Sequence, residues 1–297
     1  MTGGGGLVGQ NLSRLLAEEG FNNLLVLDRD PVGLETLKRA MPRVETLQAD
    51  LSREGDWMRS LEGAELVVQL QAEITSIEPS AFQANTLQST EHVIEAARQC
   101  DVPFLIHLSS SVVLSKADDD YVRSKAEQEK MVERSGLPSC TLRPTLLFGP
   151  HDRKHLAWLA GFMARSPVFP IPGDGRFIRQ PLYVADLCRA ILWCSHSRPV
   201  GRLYDVTGAA EIEYVELIRS IKRHSRASCA ILPLPKGLFR FLLRAYALFV
   251  RKPPFTADQL DALTVGDVFD GVDFETEFGF QQTPLDEALR LTFGVQP

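Results

Sequence analysis

Tyr121 and Lys125 lie four residues apart in a stretch, Tyr121 to Lys130, that lacks Gly and Pro and is mostly good helix former. Residues at that spacing share a helix face, so phenol and ammonium point the same way. A free phenol ionises at about pH 10, and a neighbouring cation favours the phenolate. Held so, Tyr121 can accept a proton near neutral pH, the work of a general base. The same spacing arises by coincidence on any amphipathic surface helix. What decides is whether the rest of the chain can build a crevice beside it.

The chain opens on Thr2-Gly3-Gly4-Gly5-Gly6-Leu7-Val8-Gly9, followed by Leu12, Leu15 and Leu16 at helical spacing. Gly3, Gly6 and Gly9 fall three apart, the pattern of a glycine turn feeding a helix. In such a turn the backbone at Leu7 and Val8 and the helix N-terminus can approach a pyrophosphate. A flexible glycine tail is the plain alternative. The apolar run Leu24-Leu25-Val26-Leu27 ends at Asp28, roughly 20 residues past the glycines, where a carboxylate accepts hydrogen bonds from an adenosine ribose. An acid there repels a 2′-phosphate, so NAD is the expected cofactor, and the adjacent Arg29 admits NADP.

A dinucleotide-binding turn ordinarily follows a buried strand, yet only Met1 precedes this one. The first strand is expected to be truncated. Either the chain starts further upstream, or the sheet lacks its central strand and leaves neighbouring backbone groups unpaired. The second case would weaken stability or cofactor affinity.

Short apolar runs and helical patterns then alternate. Val44 to Ala49 ends at Asp50-Leu51, expected beside an adenine ring, and Glu65 to Leu70 ends at Gln71-Ala72. Asn85 is expected to begin a helix running through Val93 to Ala97. Val102 to Leu108 ends at Ser109-Ser110-Ser111, and Cys140 to Thr145 carries Pro144, which cannot donate to a central ladder and should end its strand. This alternation predicts an α/β fold with a doubly wound parallel sheet. Ligands on such sheets lie at the carboxyl ends of strands, so Leu70, Gln71, Ala72, Asn85 and Pro144 are expected along the dinucleotide. A dinucleotide domain over 1–150, rejoined by about 180–207, and a smaller substrate lobe over 151–179 and 208–297 follow from the order of elements.

His151 and His155 have a metal-like spacing but no evident acidic third ligand, so no metal site is expected. Lys236 to Arg251 is apolar and basic, with Arg240 and Arg244 on one helical face. Such a helix can rest in a bilayer interface, or pack on the lobe with its arginines solvated. The tail from Phe274 to Phe293 reads as a loop and a short closing helix. With 297 residues, 44% hydrophobic and 24% charged, the chain has ample material for a core. A formal charge of -6 argues against nucleic acid as a partner. Five scattered cysteines without CxxC spacing suit free thiols in a reducing compartment. With no signal-like N-terminus and no apolar run long enough to span a bilayer, the expected location is cytoplasmic, with membrane association through 236–251 as an addition.

Taken together, the motifs resemble the extended short-chain dehydrogenase/reductase family, the epimerase and dehydratase group, over nearly the whole chain. Thr2 to Gly9 is similar to its TGxxGxxG loop, and Tyr121-x-x-x-Lys125 to its YxxxK pair. Leu142-Arg143-Pro144-Thr145 with Phe148-Gly149-Pro150 resembles its LRPxxxxGP segment. Pro172-Gly173-Asp174-Gly175 through Tyr183-Val184-Ala185-Asp186 resembles its substrate loop and VxD segment. The resemblance implies a Rossmann fold and an NAD-dependent oxidoreductase acting on a nucleotide- or polyprenyl-diphosphate-linked sugar. It implies that Tyr121 exchanges a proton with the substrate hydroxyl and that Lys125 holds the nicotinamide ribose and lowers the Tyr121 pKa. Ser111 stands at the catalytic serine position and would bind the substrate oxygen, and Arg179 would grip a substrate diphosphate. A homodimer is compatible with it. Only ten positions separate Ser111 from Tyr121, Gln71-Ala72 replaces paired alanines, and Gln180-Pro181 follows Arg179 where an acid is usual. Those departures resemble the branch containing the NAD(P)H-binding accessory subunit of respiratory complex I. They imply the alternative, a non-catalytic dinucleotide-binding subunit of a membrane complex.

Overall fold

The computed structural model describes residues 1–74, 76, 78–154, 156–247, 260 and 264–294. Two units emerge: one of residues 1–145, 184–207 and 270–281, the other of 146–183, 208–269 and 282–297.

The first unit is a parallel sheet between helices. Its strands are short apolar runs: β1 (Leu25–Asp28), β2 (Glu45–Gln48), β3 (Val67–Gln69), β4 (Leu105–Leu108) and β5 (Ser139–Pro144). β1 pairs with β2, and β3, β4, β5 and the strand Leu203–Val206 follow one another in that order, all in parallel. Alternation sends neighbouring side chains to opposite faces. Val26 packs with Leu34, Leu37 and Val44, while Leu27 packs with Val67, Val93 and Leu105. One face holds α1 (Leu7–Glu18) against the helix Val184–Ser197. α2 (Pro31–Ala40) begins at Asp30, whose carboxylate accepts from the Val32 N–H at 3.1 Å, with Pro31 in the first turn.

The expected gap at the sheet centre is bridged. Thr2 is a parallel bridge partner of both Leu27 and Gln69, so Met1 to Gly3 runs between β1 and β3. The Thr2 N–H donates to the Val68 carbonyl at 3.0 Å, and the Leu70 N–H to the Thr2 carbonyl at 3.0 Å. On the other side the Leu27 N–H donates to the Met1 carbonyl and the Gly3 N–H to the Leu27 carbonyl, both at 2.8 Å. A stub of a strand therefore satisfies backbone groups that the sequence suggested would be orphaned.

A second difference concerns Asn85. The helix begins earlier, with α3 (Pro79–Phe82), passes through a π-helical segment over Gln83–Gln88, and continues as α4 (Ser89–Gln99). Asn85 thus lies inside the wider π turn, a feature frequent at functional sites. α5 (Asp120–Arg134) is capped by the Asp119 carboxylate, which accepts from the Val122 N–H at 2.9 Å. β5 ends at Pro144, where a residue without an N–H costs the ladder least. Residues 270–281, expected in the lobe, belong to the first unit. Phe278 of the helix Phe274–Phe278 stacks edge-on against Trp193 at 5.4 Å and Tyr204 at 5.5 Å.

The second unit pairs Val168–Pro172 with Ala230–Leu234 in parallel, Leu147–Phe148 with Leu182–Tyr183 in parallel, and Ile178–Arg179 with Ile212–Glu213 antiparallel. Its helix Tyr214–His224 is strongly amphipathic and buries Leu217, Ile218 and Ile221 completely. All five cysteines are free. Among the described residues, no helix is long and apolar enough to cross a membrane.

Candidate active site

The glycine turn is fixed by contacts that a side chain would break. Gly3 sits at φ +68°, and a Cβ there would lie 2.5 Å from the Gln71 backbone nitrogen. At Gly9 a Cβ would lie 2.2 Å from the Gly4 carbonyl oxygen. Gly6, the N-cap of α1, differs: a Cβ there would meet nothing nearer than the Gly3 oxygen at 3.9 Å. No side chain caps α1 and its first turn holds no acid, so the N–H groups that Leu7 and Val8 begin face a site suited to an anion. The strand that ends at Asp28 brings a carboxylate beside this turn. Asp28 Oδ2 accepts from the Gly5 N–H at 2.8 Å and Oδ1 from the Asp30 N–H at 2.9 Å, leaving lone pairs for ribose hydroxyls. An uncapped helix end, a glycine open to the outside and an oriented carboxylate fit a dinucleotide.

Other expected cofactor residues divide into two groups. Asp50 is exposed after β2, its carboxylate accepting from Ser52 Oγ at 2.7 Å, which holds its pKa down. Leu51 is 6% exposed and packs in the core with Trp57 and Leu61, so its side chain is structural. Leu70, Gln71 and Ala72 follow β3, half-buried, at the turn. Gln71 Oε1 accepts from Thr2 Oγ1 at 2.6 Å, while its Nε2 is buried without a partner, a donor available to a ligand. Asn85 Nδ2 donates to Glu73 Oε2 at 3.0 Å, and the Arg29 guanidinium pairs with the same oxygen at 3.2 Å. Glu73 was not legible as a site residue, although a lone acid just past a strand end was a visible signal.

The catalytic candidates meet where β4 ends. Ser109 to Ser111 leave the strand, and Ser110 caps the short turn Ser111–Leu114, its Oγ accepting from the Val112 N–H at 3.4 Å. The Ser110 side chain acts on the Tyr121 phenol and opposes, without overcoming, the upward push of burial on its pKa. Ser111, the serine expected to share the substrate oxygen, is 3% exposed beside it. Desolvation raises the Tyr121 pKa above its ordinary value, against the expected depression. Lys125 is engaged elsewhere. Its ammonium donates to the Leu108 carbonyl at 2.8 Å and to Gln128 Oε1, and burial pushes its pKa down to about 7. The lysine is thus committed to the strand end and to its own helix rather than to the phenol.

Below it lies a buried polar column that sequence reasoning missed. Gln128, fully buried, donates to Thr90 Oγ1 at 2.8 Å and to the Gln71 carbonyl at 3.3 Å; Gln69 donates to the same Thr90 oxygen at 2.8 Å. His107, opposite Gln69 in the ladder, has neither ring nitrogen partnered, and burial holds it neutral. The signal for Gln128 was its place three residues past Lys125 on one helix face.

In the second unit, Arg179 lies in a strand, its guanidinium 5.0 Å over the Phe177 ring, which stacks on Tyr214 at 4.8 Å. Burial lowers its pKa, opposed by Tyr214 and Asp267. His151 is described and His155 lies outside the described residues; among those described, no group of His, Cys, Asp and Glu could hold a metal.

Comparison with known proteins agrees with this geometry. A 3β-hydroxysteroid-dehydrogenase/decarboxylase (isoform 2) of Arabidopsis thaliana is 26% identical over 84% of this chain and 51% of its own length. The NADH dehydrogenase [ubiquinone] 1 alpha subcomplex subunit 9 of Rattus norvegicus is 27% identical over 65% of this chain and 52% of its own. The chain therefore spans about half the length of these two relatives. The structure of the UDP-glucose 4-epimerase of Thermotoga maritima superposes with a TM-score of 0.78 at 20% identity, covering 98% of this chain and 96% of that one. The model of the NAD dependent epimerase/dehydratase family matches residues 1–206. With the glycine turn and the oriented Asp28 in one parallel sheet, the chain belongs to the NAD dependent epimerase/dehydratase family.

Proposed function

We propose that this protein oxidises a secondary hydroxyl of a sugar carried on a nucleotide or polyprenyl diphosphate, with Tyr121 as the acid/base. The observation that carries the reading is that α5 bears both Tyr121 and Lys125 and is tied to the end of β4, where the Lys125 ammonium donates to the Leu108 carbonyl at 2.8 Å. NAD, which the glycine turn and Asp28 would hold, would supply the hydride acceptor for the carbinol carbon. Tyr121, as phenolate, takes the hydroxyl proton as the C–H bond breaks and gives it back when the carbonyl is reduced. Ser111 donates to the substrate oxygen. Lys125 must leave Gln128 and the Leu108 carbonyl to bring its charge to the phenol; the flexible side chain permits this. Arg179 would grip the diphosphate. The name of the plant relative adds a sterol 3β-hydroxyl to the alcohols worth testing. Tyr121→Phe should bind NAD as the wild type does and produce no reduced nicotinamide with any active substrate. Retained turnover would remove Tyr121 from the role.

The docked state of Lys125 and the complex I relative favour a second reading, a dinucleotide-holding subunit on a membrane complex. It predicts NAD binding with no reduction by any sugar nucleotide or sterol. Membrane contact belongs to either reading. The helix Lys236–Ala247 has no acidic residue and exposes Leu238, Phe241, Leu242 and Tyr246; residues 248–251 of the expected stretch lie outside the described residues. Flotation with anionic vesicles should be lost in the Phe241→Ser, Arg244→Ser variant; no flotation of the wild type would remove the contact.

A further inference from the structure

We propose that Glu73 fixes the preference of this chain for NAD over NADP, by holding the Arg29 guanidinium in an ion pair across the mouth of the glycine turn. The topology places the pair there. Thr2 bridges both Leu27 and Gln69, so β1 and β3 flank the run from which the turn leaves. Arg29 stands just past β1 and Glu73 just past β3. A contact between them spans the gap above the turn, at 3.2 Å.

Arg29 directly follows Asp28, the carboxylate that faces the adenosine ribose, and is the cation next to a 2′-phosphate. A guanidinium binds phosphate well only when its fork of donors is free to reach it. Glu73 restrains that fork, and Glu73 is itself firmly held. Its side chain is 11% exposed, against 55% for Arg29, so the anchor is the acid and the restrained group is the arginine. The π turn supplies the grip: Asn85 Nδ2 donates to Glu73 Oε2 at 3.0 Å, and the Glu73 N–H donates to Thr86 Oγ1 at 2.9 Å. The exposed Asp50 also feels Arg29, and pairs with Arg53 at 3.7 Å. Arg29 is thus surrounded by carboxylates at an end of the crevice where NADP would add a dianion. Neutralising the buried one both frees the guanidinium and removes a repelling charge.

The inference rests on the family's use of NAD, and the experiment separates the two. Dissociation constants for NADH and NADPH, read by nicotinamide fluorescence, are compared in wild type, Glu73→Gln and Glu73→Gln/Arg29→Ala. The amide keeps a hydrogen-bond acceptor for Asn85 and loses the charge. Glu73→Gln should tighten NADPH about tenfold, one charge-assisted contact, while moving NADH less than about twofold. Adding Arg29→Ala should cancel the gain. An unchanged NADPH-to-NADH ratio in a variant with wild-type circular dichroism overturns the proposal, as does equal loss of both cofactors, which would make Glu73 a strut. A wild type that binds neither dinucleotide overturns the NAD reading itself and this proposal with it.

Discussion

The two ends of the crevice are built by different means. At the adenosine end the site is backbone: a turn closed by Gly3 and Gly9, an uncapped helix terminus, and a carboxylate oriented by two N–H groups. At the reacting end it is side chain. Lys125, Gln128 and Thr90 hold one another in a desolvated layer where His107 and Ser109 keep unpartnered polar atoms. A backbone site is rigid because moving it breaks secondary structure. A side-chain site can hold two arrangements of the same groups, since a lysine that donates to a carbonyl in one rotamer can donate elsewhere in another.

Several substitutions sharpen that contrast. Gly9→Ala forces a methyl into the Gly4 backbone at 2.2 Å and should cost about 3 kcal/mol of stability, read by urea unfolding, with loss of NAD binding. A mild effect would mean the turn is plastic. Lys125→Met tests the buried ammonium through pH. Its folded pKa is lowered to about 7 from an ordinary 10.5, so between those values the unfolded chain binds a proton that the folded chain releases. Wild-type stability should therefore rise as pH climbs through that window, and the variant should lose that rise. Equal slopes above pH 8 in both proteins would place the charge outside the fold. Gln128→Leu removes one acceptor from Lys125 and a donor from Thr90, and should destabilise by about 1–3 kcal/mol. Combined with Lys125→Met it should cost less than the sum, and strict additivity would deny the coupling. The smallest change in stability belongs to Gly6→Ala, within about 0.5 kcal/mol, because its Cβ meets open space. Its NAD affinity should nevertheless fall, which separates a glycine kept for the ligand from those kept for the fold.

This contrast also explains what was legible in the chain. The strand ends at Asp28 and Leu108 could be placed from apolar runs and breakers, because period and turn chemistry are local properties, while the run expected to reach Leu70 stops as a strand at Gln69. The Tyr121–Lys125 face followed from helical spacing, and α5 does carry both. What spacing could not say is where a long side chain finds its acceptor. Lys125 chose the Leu108 carbonyl and Gln128, contacts set by the packing of α5 on β4. Likewise the Met1–Gly3 stub completes the sheet through hydrogen bonds to strands far along the chain, which no local signal near Met1 encodes. That the Leu51 side chain packs in the core was not legible, because an apolar residue at a strand end can face either a ligand or the core. The return of residues 270–281 to the first unit depends on aromatic packing of Phe278 on Trp193 and Tyr204.

The account turns on Tyr121 becoming ionisable once Lys125 is recruited by the cofactor. The direct measurement is the ultraviolet tyrosinate titration of wild type minus Tyr121→Phe, with and without saturating NAD. Without NAD the difference should titrate above the ordinary phenol value of 10.0, and with NAD it should move below it. A difference titration that NAD does not move would contradict the account and leave the chain a holder of dinucleotide.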